Sequence, residues 1–190
     1  LTPEGEILLR RARHLLEESA SLQRLACNLA RGDQPLIRLA VDVIFPMDEL
    51  FRALAQFSAA YPDTRIELIE TVLSGGSEAL LQRTADVVLT AQVPPGFFAE
   101  PFVRLEFVTV AHPDHALHKL GRPLSERVLA AHRQIVIRDS GLRQKVDAGW
   151  LGAEQRWTVS HISTSIAALV SGLGFASLPR ARIERELAAG

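Results

Sequence analysis

His112, His115 and His118 recur at three-residue spacing, the arrangement in this chain that most invites a metal ion. They sit around Pro113 in a turn, without the carboxylate or cysteine partners a good site would use, so a surface loop is the reading. Asp139-Ser140-Gly141 is a turn signal rather than a nucleophile elbow, since no G-x-S-x-G occurs. Neither a phosphate-binding G-x-x-x-x-G-K-[ST] nor a G-x-G-x-x-G is present. The single cysteine, Cys27, excludes a disulfide within the chain and a multi-thiolate metal site, and no neighbouring cluster would activate its thiol. No catalytic centre, metal or cofactor is therefore expected.

What remains are polar and apolar side chains at the ends of strands, and their meaning depends on the elements that hold them. The 190 residues suffice for one large domain or two small ones. Apolar residues make up 47% and charged residues 23%, an ordinary globular composition. A net charge of −1 gives no global grip on nucleic acid or anionic lipid. No apolar run approaches the roughly 20 residues of a membrane span. The only methionine is Met47 and the chain opens on Leu1, so a preceding segment is expected.

The first element reads as a helix running to about Arg31. Thr2 is placed to cap it, Pro3 suits its first position, and Glu4 and Glu6 complement the positive end of its dipole. Gly32, Asp33, Gln34 and Pro35 stop it. At about 1.5 Å per residue it is roughly 45 Å long. Leu8, Leu15, Leu22 and Leu29 recur every seven residues beside the small Gly5, Ala12, Ser19 and Ala26, a seam suited to pairing two long helices. Leu9, Leu16 and Leu25 widen the stripe. Dimerisation through the leucines is expected; the plainer reading is an amphipathic helix lying on its own domain.

Past Pro35 the period changes. Strands are predicted over 36–41, 65–70 and 86–91, with helices over 48–60 and 77–83, the first carrying Leu50, Phe51, Leu54 and Phe57 on one stripe. This βαβαβ order implies a parallel sheet with right-handed crossovers. After Pro94-Pro95-Gly96 come an extended run over 102–111, a helix over 125–131 and strands over 134–138 and 156–160. A helix over 163–171 and a strand over 175–178 follow, and a short helix over 179–189 is closed by Gly190. The expected organisation is a linker and dimerisation helix with its linker over 1–34, a first α/β lobe over 35–92 and a second over 93–190. The first lobe holds four basic and eight acidic residues, the second twelve and nine.

The order of these features resembles the LysR-type transcriptional regulators. The resemblance is carried by Leu1-Thr2-Pro3-Glu4-Gly5-Glu6 with Leu9, Ala12 and Arg13, by Ile37-Arg38-Leu39-Ala40, and by Phe57 with Tyr61-Pro62. It continues through Glu70-Thr71-Val72-Leu73-Ser74-Gly75-Gly76, Glu78-Ala79-Leu80-Leu81 and Ala85-Asp86-Val87 to the stretch from Leu169 to Pro179. The resemblance implies a type 2 periplasmic-binding-protein-like fold, two α/β lobes around a cleft for a small effector. It also implies a cytoplasmic homodimer or homotetramer. A winged helix-turn-helix ahead of Leu1 would read DNA, and a segment beyond Gly190 would return to the first lobe.

In open α/β sheets ligands gather beyond the carboxyl ends of parallel strands, at helix N-termini. Those ends place Ile44, Phe45, Leu73 and Thr90 in the first lobe and Arg138, His161, Ser163 and Thr164 in the second. Ile44 and Leu73 stand where relatives with acidic effectors often carry hydroxyl residues, which points to an effector with substantial apolar or aromatic surface. Thr90, Arg138, His161, Ser163 and Thr164 would fix its polar groups. Each has a plainer role open to it: core for Ile44 and Leu73, an ion pair for Arg138, a helix cap for Ser163 or Thr164. Two other readings compete, a periplasmic solute-binding protein serving transport and an α/β enzyme. The heptad helix counts against the first, and the second has no catalytic motif to anchor it.

Overall fold

Thr2 caps the first helix, α1 (Pro3–Arg31), its Oγ1 accepting the Gly5 N–H at 3.2 Å, with Glu4 and Glu6 in the first turn. In this computed structural model residues 2–31, 36–121, 123–143 and 145–189 are described, except the side chains of Arg10, Ser21, Arg24, Leu25, Asn28, Leu29 and Arg31. The predicted stop at Gly32 to Pro35 and the closing Gly190 lie outside the described residues, as does the side chain of Leu29. Leu8, Leu15 and Leu22 are 71%, 69% and 68% exposed.

By its contacts the chain divides into two units, Leu1–Ile37 with Glu49–Glu67, and Arg38–Asp48 with Leu68–Gly190. The first holds α1 and most of α2 (Met47–Ala60). Leu50 of α2 is buried, and Phe57 stacks on Tyr61 at 4.9 Å where the helix ends. Phe51 is exposed rather than part of the buried stripe, because it follows Leu50 by one residue and so lies about 100° around the helix.

The second unit is built on two sheets. In one, β1 (Leu36–Asp42) is central between β2 (Arg65–Thr71) and β3 (Val87–Leu89), and β1 pairs with β3 in parallel, Leu39 opposite Val87. Leu39 to Asp42 are buried, as expected of a central strand in an α/β sheet. Helix α3 (Ser74–Leu81) begins three residues earlier than its periodicity predicts, with Gly75 and Gly76 inside it rather than before it. The pair serves close approach, not termination. A Cβ on Gly75 would collide with Ser140 Oγ, and one on Gly76 would stand 3.0 Å from Thr90.

The other sheet has the order β4-β7-β5-β6. Its strands are β4 (Phe107–Ala111), β5 (Gln134–Ile137), β6 (Arg156–Val159) and β7 (Phe175–Pro179). Strand β4 runs antiparallel to β7, while β5 pairs in parallel with both β6 and β7. The extended run predicted over 102–111 is a strand only from Phe107, which pairs with Pro179 at the end of β7. Helix α4 (Glu126–Ala130) precedes β5, and α5 (Ile162–Val170) lies between β6 and β7. The final predicted helix is a 3-10 turn over Arg180–Arg182 and then α6 (Glu184–Ala189), separated by the buried Ile183. Ile135, Ile162, Leu169, Leu178 and Ile183 form a core that also takes in Val43 and Val72 from the strand ends of the first sheet.

Candidate functional site

The strand ends converge through two carboxylates. Asp42 closes β1 and is only 3% exposed; its Oδ1 accepts the Ile44 N–H and its Oδ2 the Leu73 N–H, each at 3.2 Å. Burial pushes its carboxyl above the ordinary carboxylate value, the two N–H groups pull it back in part, and the charge of Asp139 pushes it up further. Leu73 is held at φ 50°, a left-handed conformation costly to a side chain with a γ-branch. The Leu73 side chain is partly buried and packs against the core.

Asp139 follows β5 and is also buried. Its Oδ1 accepts the N–H groups of Ser74 (3.1 Å) and Gly141 (2.8 Å). Its Oδ2 accepts the Ser74 hydroxyl (2.7 Å) and the Val146 N–H (2.6 Å). Burial raises this carboxyl, but the N–H groups of Gly141 and Val146 and the hydroxyl and N–H of Ser74 together outweigh it and hold it below the ordinary value. Beside it, Ser140 Oγ accepts the Val72 N–H at 2.8 Å, and Glu78 accepts the N–H groups of Leu142 and Arg143 at 2.9 and 2.8 Å. A Cβ on Gly141 would collide with Ser74 Oγ, so this seam needs glycine there.

Adjoining Asp42 is a groove of about 890 Å³. It brings together three predicted residues, Ile44, Phe45 and Thr90, and adds Phe97, Phe98 and Phe102 from the segment after Pro95. Phe45 is buried with its ring 5.6 Å from that of Phe102. The charged residues lining the groove, Asp42, Asp86 and Glu100, are all acidic. Thr90 Oγ1 accepts the Gln92 N–H at 3.2 Å and is turned to its own loop.

The predicted residues of the second sheet are not part of this groove. Arg138 is exposed and its Nη2 donates to Ser160 Oγ at 2.8 Å, a neutral tie between strand ends. His161 is the N-cap residue of α5, with no side-chain cap bond. Ser163 and Thr164 are exposed in the first turn of α5, two and three residues past the N-cap position. The histidines serve turns: His112 Nδ1 accepts the Asp114 N–H, and His115 Nδ1 accepts the Leu117 N–H, both at 3.2 Å.

The tie among Asp42, Ser74, Glu78 and Asp139 is not visible in sequence, because each carboxylate accepts a backbone N–H far along the chain and the Ser74 hydroxyl donates to Asp139. The residues themselves do leave a signal. Asp42 is the lone charge in the run from Leu39 to Phe45, and Asp139-Ser140-Gly141 ends a strand with small polar residues.

The family model described as the LysR substrate binding domain matches residues 30–190. The chain is 33% identical over 194 residues to the HTH-type transcriptional regulator YhaJ of Escherichia coli O157:H7, covering all of this chain and 65% of that protein. It thus spans just under two thirds of that relative. Among solved structures, CrgA, a LysR-type transcriptional regulator from Neisseria meningitidis, is similar with a TM-score of 0.61 at 24% identity, over 100% of this chain and 66% of that one. The regulatory domain of MetR, a LysR family regulator from N. meningitidis, gives 0.60 at 20% identity, over 82% and 74%.

Proposed function

Because the chain belongs to the LysR substrate-binding domain family of transcriptional regulators, with its type 2 periplasmic-binding-protein-like fold, we propose that it is the effector-sensing part of such a regulator. A small molecule with substantial apolar or aromatic surface enters the groove beside β1 and β3. Ile44, Phe45 and the phenylalanines facing them supply the apolar contact, and Thr90 supplies a hydroxyl. A groove of about 890 Å³ falls within the usual range of ligand sites, and its aromatic lining is the observation that carries the reading. Leu73, partly buried against the core, remains an apolar candidate next to Asp42, which accepts its N–H. Arg138, His161, Ser163 and Thr164 are a separate polar surface at the ends of β5 and β6, available to a polar group of the effector.

Binding shifts the population between arrangements of a first lobe (35–92) and a second (93–190), and the change passes to a DNA-reading module outside this chain. Two copies pair through α1, whose Leu8, Leu15 and Leu22 are exposed, and the regulator works in the cytoplasm. Membership of a family of transcriptional regulators supports a regulatory role over transport. No helix among the described residues is long and apolar enough to cross a membrane.

The test is a thermal-shift screen of neutral, cationic and acidic aromatics, repeated on Ile44→Trp and Thr164→Trp. A hit whose shift is lost in Ile44→Trp supports the groove. A hit unaffected by either substitution sinks this placement.

A further inference from the structure

None of the three histidines spaced three apart lines the groove, and their ring nitrogens do different work. His118 Nε2 lies 3.3 Å from the carbonyl oxygen of Ala111, the last residue of β4. A carbonyl only accepts, so this nitrogen carries its hydrogen and a second proton on the ring leaves the bond intact. His112 Nδ1 accepts the Asp114 N–H, but the Asp114 carboxylate is 3.8 Å from the same nitrogen and would offset a positive charge there. His115 has neither arrangement. Its Nδ1 accepts the Leu117 N–H at 3.2 Å, so it caps the 3-10 turn over Ala116–Leu120 as a neutral ring. A proton on that nitrogen would set two N–H groups against each other.

The surroundings make that proton costly. His115 is partly buried, and its ring centroid is 5.3 Å from that of His132, which lies between α4 and β5. Burial first, then the charge of His132, then that of His118 hold the His115 ring below the ordinary histidine value. Lys119, in the last turn of the same 3-10 element, is a further positive group, and no carboxylate is among the groups that shift His115. The cap holds a packed element in place. Leu117 is only 6% exposed, and the His115 and His118 N–H groups donate to the carbonyls of His112 and His115 at 2.8 and 3.1 Å.

We propose that His115 and His132 make the turn after β4 an acid-sensitive switch. A proton on His115 breaks the cap on Leu117, opens the 3-10 turn and releases the tie between His118 and the end of β4. The segment is closed at neutral pH and open in mild acid, with no ligand required. The stabilisation the cap provides is whole above the unfolded-state histidine value and is lost as pH falls toward the lower folded one.

The experiment follows the 190-residue chain between pH 7.5 and 4.5 by NMR titration of the histidine rings and by amide hydrogen exchange, expressed as protection over the unstructured rate. Protection of the Leu117 amide is expected to fall at least tenfold toward the acid end, in step with the His115 ring. In His115→Asn, whose side-chain oxygen accepts the same N–H and does not titrate in this range, the protection should persist to pH 4.5. In His132→Gln the midpoint of the His115 ring should rise toward the ordinary histidine value. Equal Leu117 protection at both ends of the range in the parent overturns the proposal, and so does an equal fall in His115→Asn. If His115→Asn does not melt cooperatively, His132→Gln decides: a His115 midpoint that stays where it is in the parent overturns the pair as the trigger, and an upward shift supports it.

Discussion

Two buried carboxylates, Asp42 and Asp139, are shifted in opposite directions, and their signs make the pH dependence of stability specific. Asp139 lies below its ordinary value because four hydrogen bonds favour its charged form. Its stabilisation is present above the unfolded-state carboxylate value and is lost as pH falls through the lower folded one. Asp42 lies above its ordinary value, mainly through burial. Its contribution is present below the unfolded value and is lost as pH rises through the folded one. In urea titrations between pH 2.5 and 7 Asp139 should therefore give the midpoint an acid limb, a fall toward low pH that the Asp42 contribution opposes. Asp139→Asn should lower the neutral plateau and flatten that acid limb; a variant with an unchanged acid limb would refute the assignment. Gly141→Ala attacks the same seam by volume, since its Cβ would collide with Ser74 Oγ. A loss of about 1–3 kcal/mol, the usual cost of overpacking, is expected from the urea midpoint.

Among the elements, α1 was the most legible in sequence, because a cap, a heptad and a length near thirty residues agree without any tertiary information. Its bounds, Pro3–Arg31, follow the periodicity, and Leu8, Leu15 and Leu22 are exposed. If they pair two copies, the parent should sediment as a dimer and Leu15→Glu with Leu22→Glu at half that mass, with unchanged helicity. A parent dimer that keeps its mass in the variant would place the interface elsewhere. The start of α3 was misread because Gly75-Gly76 looks like a stop in sequence. Only the closeness of Ser140 and Thr90 reveals why two glycines are needed inside a helix. Similarly, Ile44, Phe45 and Thr90 could be read from their places after strands, whereas Asp42 and Asp139 bond to N–H groups 31 and 65 residues away. Periodicity reports the face a side chain occupies, not which distant backbone it will meet. Gly174 is another such contact: a Cβ there would be 2.4 Å from Arg133 O, so Gly174→Ala should weaken the start of β7 and lower the melting temperature.

At the scale of the whole molecule, the groove beside β1 and β3, which Asp42 helps to line, is the proposed effector site. On that proposal Ile44, Phe45 and the lining phenylalanines take up apolar surface, and the acidic lining of Asp42, Asp86 and Glu100 disfavours anions. A ligand that binds only the folded state at about one hundred times its Kd adds about 2.7 kcal/mol of stability. For a chain of this size each kcal/mol moves the melting temperature by about 2–4 °C, so a true effector should raise it by about 5–11 °C. Ile44→Trp fills part of the groove; if affinity falls tenfold, about 1.4 kcal/mol of that stabilisation disappears and the shift shrinks by about 3–6 °C. Aromatic acids should give less than their amides or amines of the same ring size, because the charged residues lining the groove among those described are Asp42, Asp86 and Glu100. A melting shift in which the acids lead, and which Ile44→Trp leaves intact, would mean that the polar surface of Arg138, His161, Ser163 and Thr164 receives the effector instead.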